Sequence, residues 1–572
     1  MRPFFFAFYM KRLRWQILVV AFTLVVVAVL LLAQQPVGTV SLSPQPTTGG
    51  VYTEALVGSM GRLNPLLDWN NAADRDIDRL IFSGLIRFDE RGLPRPELAE
   101  SWGTSSDGTI YNFSLRSNAV WHDGTPVTAD DVIFTIDLIK SNGSLFPQDV
   151  KDLWLQIEVK RMNDQNIKFT LPEPYAPFLD YVTFGILPKH LLEGTPADQL
   201  QNAEFNLKPI GTGPYKFDHL LVEGGQIRGV VLNLNEKYYL DKPFIPQVVF
   251  RYYPDSTSAF DAYQQGEVLG ISQVTLDTLP KALSDANLSV HTSRLPQIGI
   301  VFLNQNNPTV AFFQDAKVRR ALLMGVNRNA IISKYMGGQA IVADSPILPG
   351  SWAYYEGIEH IQYDPEAAAE LLMGEGYVIP AAGGEVRAKD GQPLAFTLAH
   401  PDDALHTQIA QAIQANWARI GVQVDLLPVP YDRLVAEFLT PRNYQAVLAD
   451  LTMSRTPDPD PYPFWHQAEA TGGQNYSQWD NRIASEYLEE ARTQTDFTVR
   501  TRLYHNFQVI FEQELPSLLL YYPVYSYAVD GQVQGVQVAP MYDTSDRLAF
   551  ITDWFLITRR TLGQTPEPSP AP

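Results

Sequence analysis

Residues 111–139 read YNFSLRSNAVWHDGTPVTADDVIFTIDLI and set out a strand, a turn and a capped helix in one continuous run. Tyr111, Phe113 and Leu115 alternate with Asn112, Ser114 and Arg116, the period of two that gives a strand one buried and one wet face. The strand is expected to stop near Ser117. His122-Asp123-Gly124-Thr125-Pro126 then joins a turn-forming Asp-Gly pair to a proline that has no amide for a ladder. Thr128 stands as the N-cap of the next helix, with Asp130 and Asp131 in its first turn. There carboxylates meet unpaired amides and the positive end of the helix dipole. Val132, Ile133, Ile136 and Ile139 supply the apolar face. The unit carries no catalysis by itself, and His122 and Asp123 read as members of a structural turn.

A chain of 572 residues exceeds what one core accommodates, so two or more lobes are expected. A hydrophobic content of 45% and an aromatic content of 12% are enough to fill them. Lys+Arg 43 against Asp+Glu 63 leaves a net charge of -20, which argues against nucleic acid and anionic lipid surfaces, since both need a basic footprint. Cationic or neutral solutes suit it better. The absence of cysteine excludes disulfides, thiol nucleophiles, thiolate metal sites and a lipidated cysteine as anchor. Nine histidines are scattered without ligand spacing, and no Gly-x-Ser-x-Gly elbow occurs. No catalytic residue, metal or cofactor is therefore expected. Gly211-Thr212-Gly213 is a turn and not a phosphate loop, because Pro214, Tyr215 and Phe217 follow where a Lys-Ser/Thr pair should open a helix.

Towards the N-terminus, Arg2, Lys11, Arg12 and Arg14 precede residues 15–33, an apolar run interrupted only by Gln16 and Thr23. As a helix it would span about 28 Å, close to the hydrocarbon thickness of a bilayer. The basic residues would stay in the cytoplasm and the rest of the chain outside. Leu31-Leu32-Ala33 lacks a small-x-small cleavage pattern, which favours an uncleaved anchor over a signal sequence. Residues 34–50 read as a flexible linker, and the proline-rich 559–572 as a disordered tail. Asp364-Pro365-Glu366 opens a helix that stops at Gly374 and Gly376. Ile409, Ala412, Ile413, Trp417 and Ile420 form one helix face, Gly421 ends it, and Val422, Val424 and Leu426 alternate as a strand. Such helix-Gly-strand succession argues for α/β layers with parallel pairing. A last strand is expected over Leu518 to Ala528, with a further one over Val533 to Val538.

Residues 115–136, LRSNAVWHDGTPVTADDVIFTI, resemble the signature of the family 5 solute-binding proteins, the oligopeptide/dipeptide/nickel-type extracytoplasmic receptors of ABC importers. GRLNPLL (61–67), PRPELAESW (94–102), ILPKH (186–190), PIGTGPYKF (209–217) and VRRAL (318–322) match further landmarks in the same order. The resemblance implies an α/β, two-lobed periplasmic-binding-protein-like fold (type II, cluster C) with an extra inserted domain, here behind an N-terminal transmembrane helix. The implied divisions are a basic cytoplasmic segment 1–14, anchor or signal 15–33, linker 34–50, lobe I 51–88, inserted domain 89–205, lobe I again 206–297, lobe II 298–524, and a return to lobe I over 525–558. A monomer outside the cytoplasmic membrane, with a peptide or other small polar solute and an ABC permease as partners, follows from the same resemblance. Were the N-terminal segment cleaved, the protein would be periplasmic or secreted.

The family's cleft implies a ligand set. Trp69 and Asn70 fall where the first lobe faces it; Asn304 ends a strand, and Trp352 and Trp465 fall in loops of the second lobe. Peptide-binding members carry an Asp that pairs with the peptide's amino group, and Ser454 stands there by ungapped placement, with Asp450 and Asp458 as neighbouring alternatives. That departure bears on peptide specificity, because a buried ammonium without a carboxylate is costly. Two other readings are an anchored extracellular hydrolase, peptidase or glycosidase, which would need carboxylates facing each other across the cleft, and a solute-sensing receptor.

Overall fold

The computed structural model describes residues 42–562, except 90, 382, 454–456, 538 and 539, together with residues 20, 22 and 23. The apolar run 15–33 therefore lies outside the described residues apart from those three, and among the described residues no helix is long and apolar enough to cross a membrane. The chain divides into two units. In the smaller, Leu42–Thr47 pairs antiparallel with Ile557–Leu562, so residues read as linker and tail form a two-stranded ribbon. Pro44 and Pro46, two residues apart, point their missing amides to one side, which leaves Ser43, Gln45 and Thr47 to pair on the other.

The larger unit, 48–556, is two α/β lobes whose sheets share one strand, Ser517–Asp530. In the first lobe the order is Tyr215–Glu223, Gln226–Leu234, Gln247–Tyr253, Val51–Val57, Gly270–Ile271, then the C-terminal half of the shared strand, which also pairs with Leu288–Arg294. In the second it is Gln423–Val429, Ala395–Pro401, Ala446–Thr452, Gln297–Leu303, then the N-terminal half. Gln297–Leu303 sends Ile298, Ile300 and Phe302 into one core and Val301 and Leu303 into another. A strand covered on both faces has no wet side, which is why its sequence is almost unbroken apolar. The expected strand over Leu518 to Ala528 is present within Ser517–Asp530. Val533 to Val538 is not a strand: Gln534 makes an isolated bridge with Phe555, and Val538 lies outside the described residues.

The signature segment behaves as its pattern predicts. Tyr111, Phe113 and Leu115 of strand Ile110–Leu115 are buried. Thr128 caps helix Ala129–Lys140 in a capping box with Asp131. The strand lies in a separate four-stranded sheet, yet its core is continuous with that of the first lobe: Phe113, Trp154 and Phe169 belong to the same cluster as Leu56 and Val248.

His122 joins the signature to the rest of the lobe. Its Nδ1 accepts the Gly211 amide at 3.1 Å, and its Nε2 stands 3.1 Å from the Gly213 carbonyl. Burial holds its pKa down at about 4, so the ring is neutral and Nε2–H is the donor. Gly213 N–H in turn donates to the Ile81 carbonyl at 2.7 Å, at the C-terminal end of helix Ala72–Ile81. The two glycines are required by contact, since a Cβ on Gly211 would fall 1.9 Å from the Ile81 carbonyl oxygen and one on Gly213 2.3 Å from that of Leu80. Gly211→Ala is expected to cost about 3 kcal/mol in urea denaturation, whereas Gly472→Ala, whose Cβ would meet nothing within 4 Å, should leave the midpoint unchanged.

Candidate functional site

Helix Ala72–Ile81 forms one wall of a cavity of about 400 Å³ in the first lobe. Asn71 caps the helix by accepting the Ala73 and Asp74 amides, and Asp74 accepts those of Gly61 and Arg62, the latter at 2.7 Å. These bonds hold the loop that carries Trp69, which packs edge-on to Phe146 with centroids 4.9 Å apart. The facing wall is the return segment around Tyr542 to Thr552. Salt bridges Arg75–Asp543 at 3.0 Å and Arg79–Asp546 at 2.8 Å fasten it to the helix. Behind them Arg547, 3% exposed, binds both Glu54 and Asp76.

A second hollow of about 30 Å³ lies between the lobes, lined by Arg294, Pro349, Ser351, Met453, Pro459 and Tyr542. Pro457, Pro540 and Tyr542 line both cavities, so the two adjoin. The lobes touch beside them. Asp458 N–H of the second lobe donates to Asp180 Oδ2 of the first at 3.1 Å. The Arg492 guanidinium, paired with Asp460 at 2.8 Å, lies 5.6 Å from the Tyr175 ring.

The residues proposed from sequence separate into groups. Trp69 lines the large cavity, while Asn70 beside it is exposed and lines neither. Asp458 is a builder of the second-lobe wall: Arg500, 2% exposed, clamps it through two nitrogens at 2.7 and 2.9 Å, and Trp352 stacks on Arg500 at 5.0 Å. Trp352 and Asp458 thus meet through an arginine that sequence reasoning missed. Trp465 is core, 1% exposed and edge-on to Phe511 at 4.7 Å. Asn304 is likewise interior, its amide donating to the carbonyls of Arg442 and Tyr444 at 3.0 Å each. Asp450 lines neither cavity and is held by His406 Nε2 at 3.2 Å and the Tyr521 hydroxyl at 3.5 Å. Ser454 lies outside the described residues. Also missed were Arg294, Asp78, Asp180 and Tyr542. Only the last carried a local signal, the Asp543–Asp546 capping box that follows it.

Two lobes thus share one strand, and both cavities lie beside their junction. The family model "Bacterial extracellular solute-binding proteins, family 5 Middle" matches residues 94–474. The oligopeptide-binding protein AppA of Bacillus subtilis is 28% identical, over 90% of this chain and 92% of its own. The structure of AppA from Bacillus subtilis in complex with a nonapeptide superposes with a TM-score of 0.64 at 27% identity, covering 90% of this chain and 100% of the other. The crystal structure of NikZ from Campylobacter jejuni in complex with Ni(L-His) gives 0.65 at 27%, over 88% and 99%. The chain belongs to the family 5 bacterial extracellular solute-binding proteins.

Arg500→Met leaves Asp458 buried without its counter-ion, a loss of about 3–5 kcal/mol expected in the unfolding free energy. Burial, then the Asp458 carboxylate, hold the pKa of Asp180 well above its ordinary value. An unfolded Asp ionises near pH 4, so above that pH the unfolded chain gives up a proton that the folded protein keeps. Stability then falls with rising pH until the folded group itself ionises. Asp180→Asn should therefore be more stable than the native protein at neutral pH and equal to it near pH 3; urea midpoints across pH that run parallel for the two would contradict this.

Proposed function

We propose that the protein captures a short peptide or similarly sized polar solute where the two cavities adjoin, closes its lobes on it, and presents the closed form to an ABC permease while residues 15–33 hold it at the membrane. The observation that carries the reading is a cavity of about 400 Å³ walled almost wholly by the first lobe but completed by Pro457 of the second, at a point where the lobes already touch. Its volume is at the lower end for small-molecule pockets, which favours a short peptide over one as long as that bound to AppA. Lobe I (51–88, 206–297, 525–558), the inserted domain 89–205 and lobe II (298–524) are the bodies proposed to move.

Trp69 and Tyr542 serve as aromatic walls in this reading. Arg294, at the end of strand Leu288–Arg294 where the chain crosses between lobes, is available to a solute carboxylate. Ser454 is retained as a proposed contact from its sequence placement. A solute that touches both lobes favours the closed form by no more than its difference in affinity for the two states.

The reading is tested by extracting the full-length protein in mild detergent, denaturing it, and identifying co-purified small molecules by mass spectrometry. A panel of di- to pentapeptides then follows in thermal melts, where a ligand at 100 times its dissociation constant should add about 2.7 kcal/mol of stability. Trp69→Ala is expected to weaken the best ligand at least tenfold, the cost of about 1.4 kcal/mol of lost contact. A panel that leaves the melting temperature unmoved defeats the peptide assignment.

A further inference from the structure

We propose that the first-lobe cavity is selective for solutes bearing an organic cation, an ammonium or a guanidinium, and that Asp78 is the residue that receives it, with Asp68 beside it. The proposal rests on the solute-binding reading above and narrows its substrate class.

Asp78 lines the cavity, is 3% exposed, and neither of its carboxyl oxygens has a well-formed hydrogen bond. Among the described residues, the arginines of the helix and of the facing wall are already committed. Arg75 is paired with Asp543 and Arg79 with Asp546, each at 3.0 Å or less, and Arg547 is divided between Glu54 and Asp76. The remaining neighbours make matters worse for a carboxylate. Asp68 faces it from the turn after Asn64, and Asp74 lies one turn back on the same helix. Tyr252 stands behind from strand Gln247–Tyr253, while the Asn64 amide pulls weakly the other way. Burial first, then Asp68 and Asp74, drive the pKa of Asp78 well above the ordinary carboxyl range.

A buried acid with no partner is unfavourable, and an amide or apolar side chain there would fold more stably. What the acid offers instead is a place for a counter-charge brought by the solute. An incoming cation would restore the carboxylate and displace its proton. A metal ion fits less well. Among the described residues no group of three or more His, Cys, Asp or Glu is arranged to hold one. The cavity also greatly exceeds an ion's size, and the aromatic faces of Trp69 and Tyr181 on its wall suit an organic cation.

The test is isothermal titration calorimetry of the full-length protein in mild detergent, run near neutral pH in two buffers of different ionisation enthalpy. The probes are Ala-Lys-Ala, its isostere Ala-norleucine-Ala and Ala-Glu-Ala, each acetylated at the amino terminus so that the lysine side chain is the only peptide cation, and agmatine as a cation without a peptide bond. The expected result is at least tenfold tighter binding of Ala-Lys-Ala than of the norleucine peptide, with release of a proton that the neutral peptide does not cause. Asp78→Asn should keep the affinity for Ala-norleucine-Ala and lose both the lysine preference and the proton release. Its melting temperature without ligand should be no lower than that of the native protein. Equal binding of lysine and norleucine peptides overturns the proposal but leaves solute binding intact, as does a lysine preference that persists in Asp78→Asn. Binding of agmatine with proton release, when every peptide is silent, supports the cation site and refutes the peptide assignment. Silence from all four probes overturns both.

Discussion

Ser517–Asp530 is a single strand that belongs to two sheets, and the arrangement of both lobes depends on how it passes from one to the other. Leu518 and Leu520 enter one second-lobe core, and Leu519 and Tyr522 the other. Beyond the crossing, Tyr525, Tyr527 and Val529 enter the main first-lobe core and Ala528 the smaller one. Pro523 sits at the crossing. Its carbonyl accepts the Leu295 amide at 2.9 Å, but it has no amide to donate, so the ladder is weakest where one sheet hands over to the next. The other crossing, Leu295-Pro296 between Leu288–Arg294 and Gln297–Leu303, carries a proline at the matching place. Two strands thus each carry a proline where the chain passes from one sheet to the other, while each lobe's own pairing continues on either side.

The signature segment acts on the cavity at second hand. It lines neither of the two cavities itself, but His122 grips the Gly211–Gly213 turn, and that turn packs on the end of helix Ala72–Ile81. The helix presents Arg75, Asp78 and Arg79 to the cavity. A neutral imidazole with one nitrogen accepting and the other donating is suited to such a joint, because it brings no charge into a buried contact. The ion pairs of Arg75, Arg79 and Arg547 then hold the opposite wall at a set distance from the helix.

Much of the fold was legible because local rules and global structure agree. The alternation at Tyr111, Phe113 and Leu115, the caps at Thr128 and Asp364, and the helix ending before Gly421 all appear where the pattern predicts. The site was less legible. Tryptophans suit a cleft and a core equally well, and Trp465 lies in the core. Asp458 is held by Arg500, 42 residues away in sequence, a pairing that no local pattern marks. Asp78 reads in sequence as one acid among several on a polar helix; that the neighbouring arginines pair elsewhere follows from where Asp543, Asp546 and Glu54 land. The tail that was read as disordered begins as one strand of the ribbon with Leu42–Thr47.

What this sequence determined by itself was the α/β character, because periodicity, caps and turn residues act over a few positions, and the resemblance to the family, carried by motifs in a fixed order, which implied the two-lobed plan. Only the tertiary structure decided which charges are paired and which acids line a cavity. Pairing is a matter of a few ångströms between side chains that can be hundreds of residues apart, as Arg75 and Asp543 are. No local pattern encodes that distance, and in a chain with 63 acidic residues the functional acid is distinguished by its surroundings and not by its type.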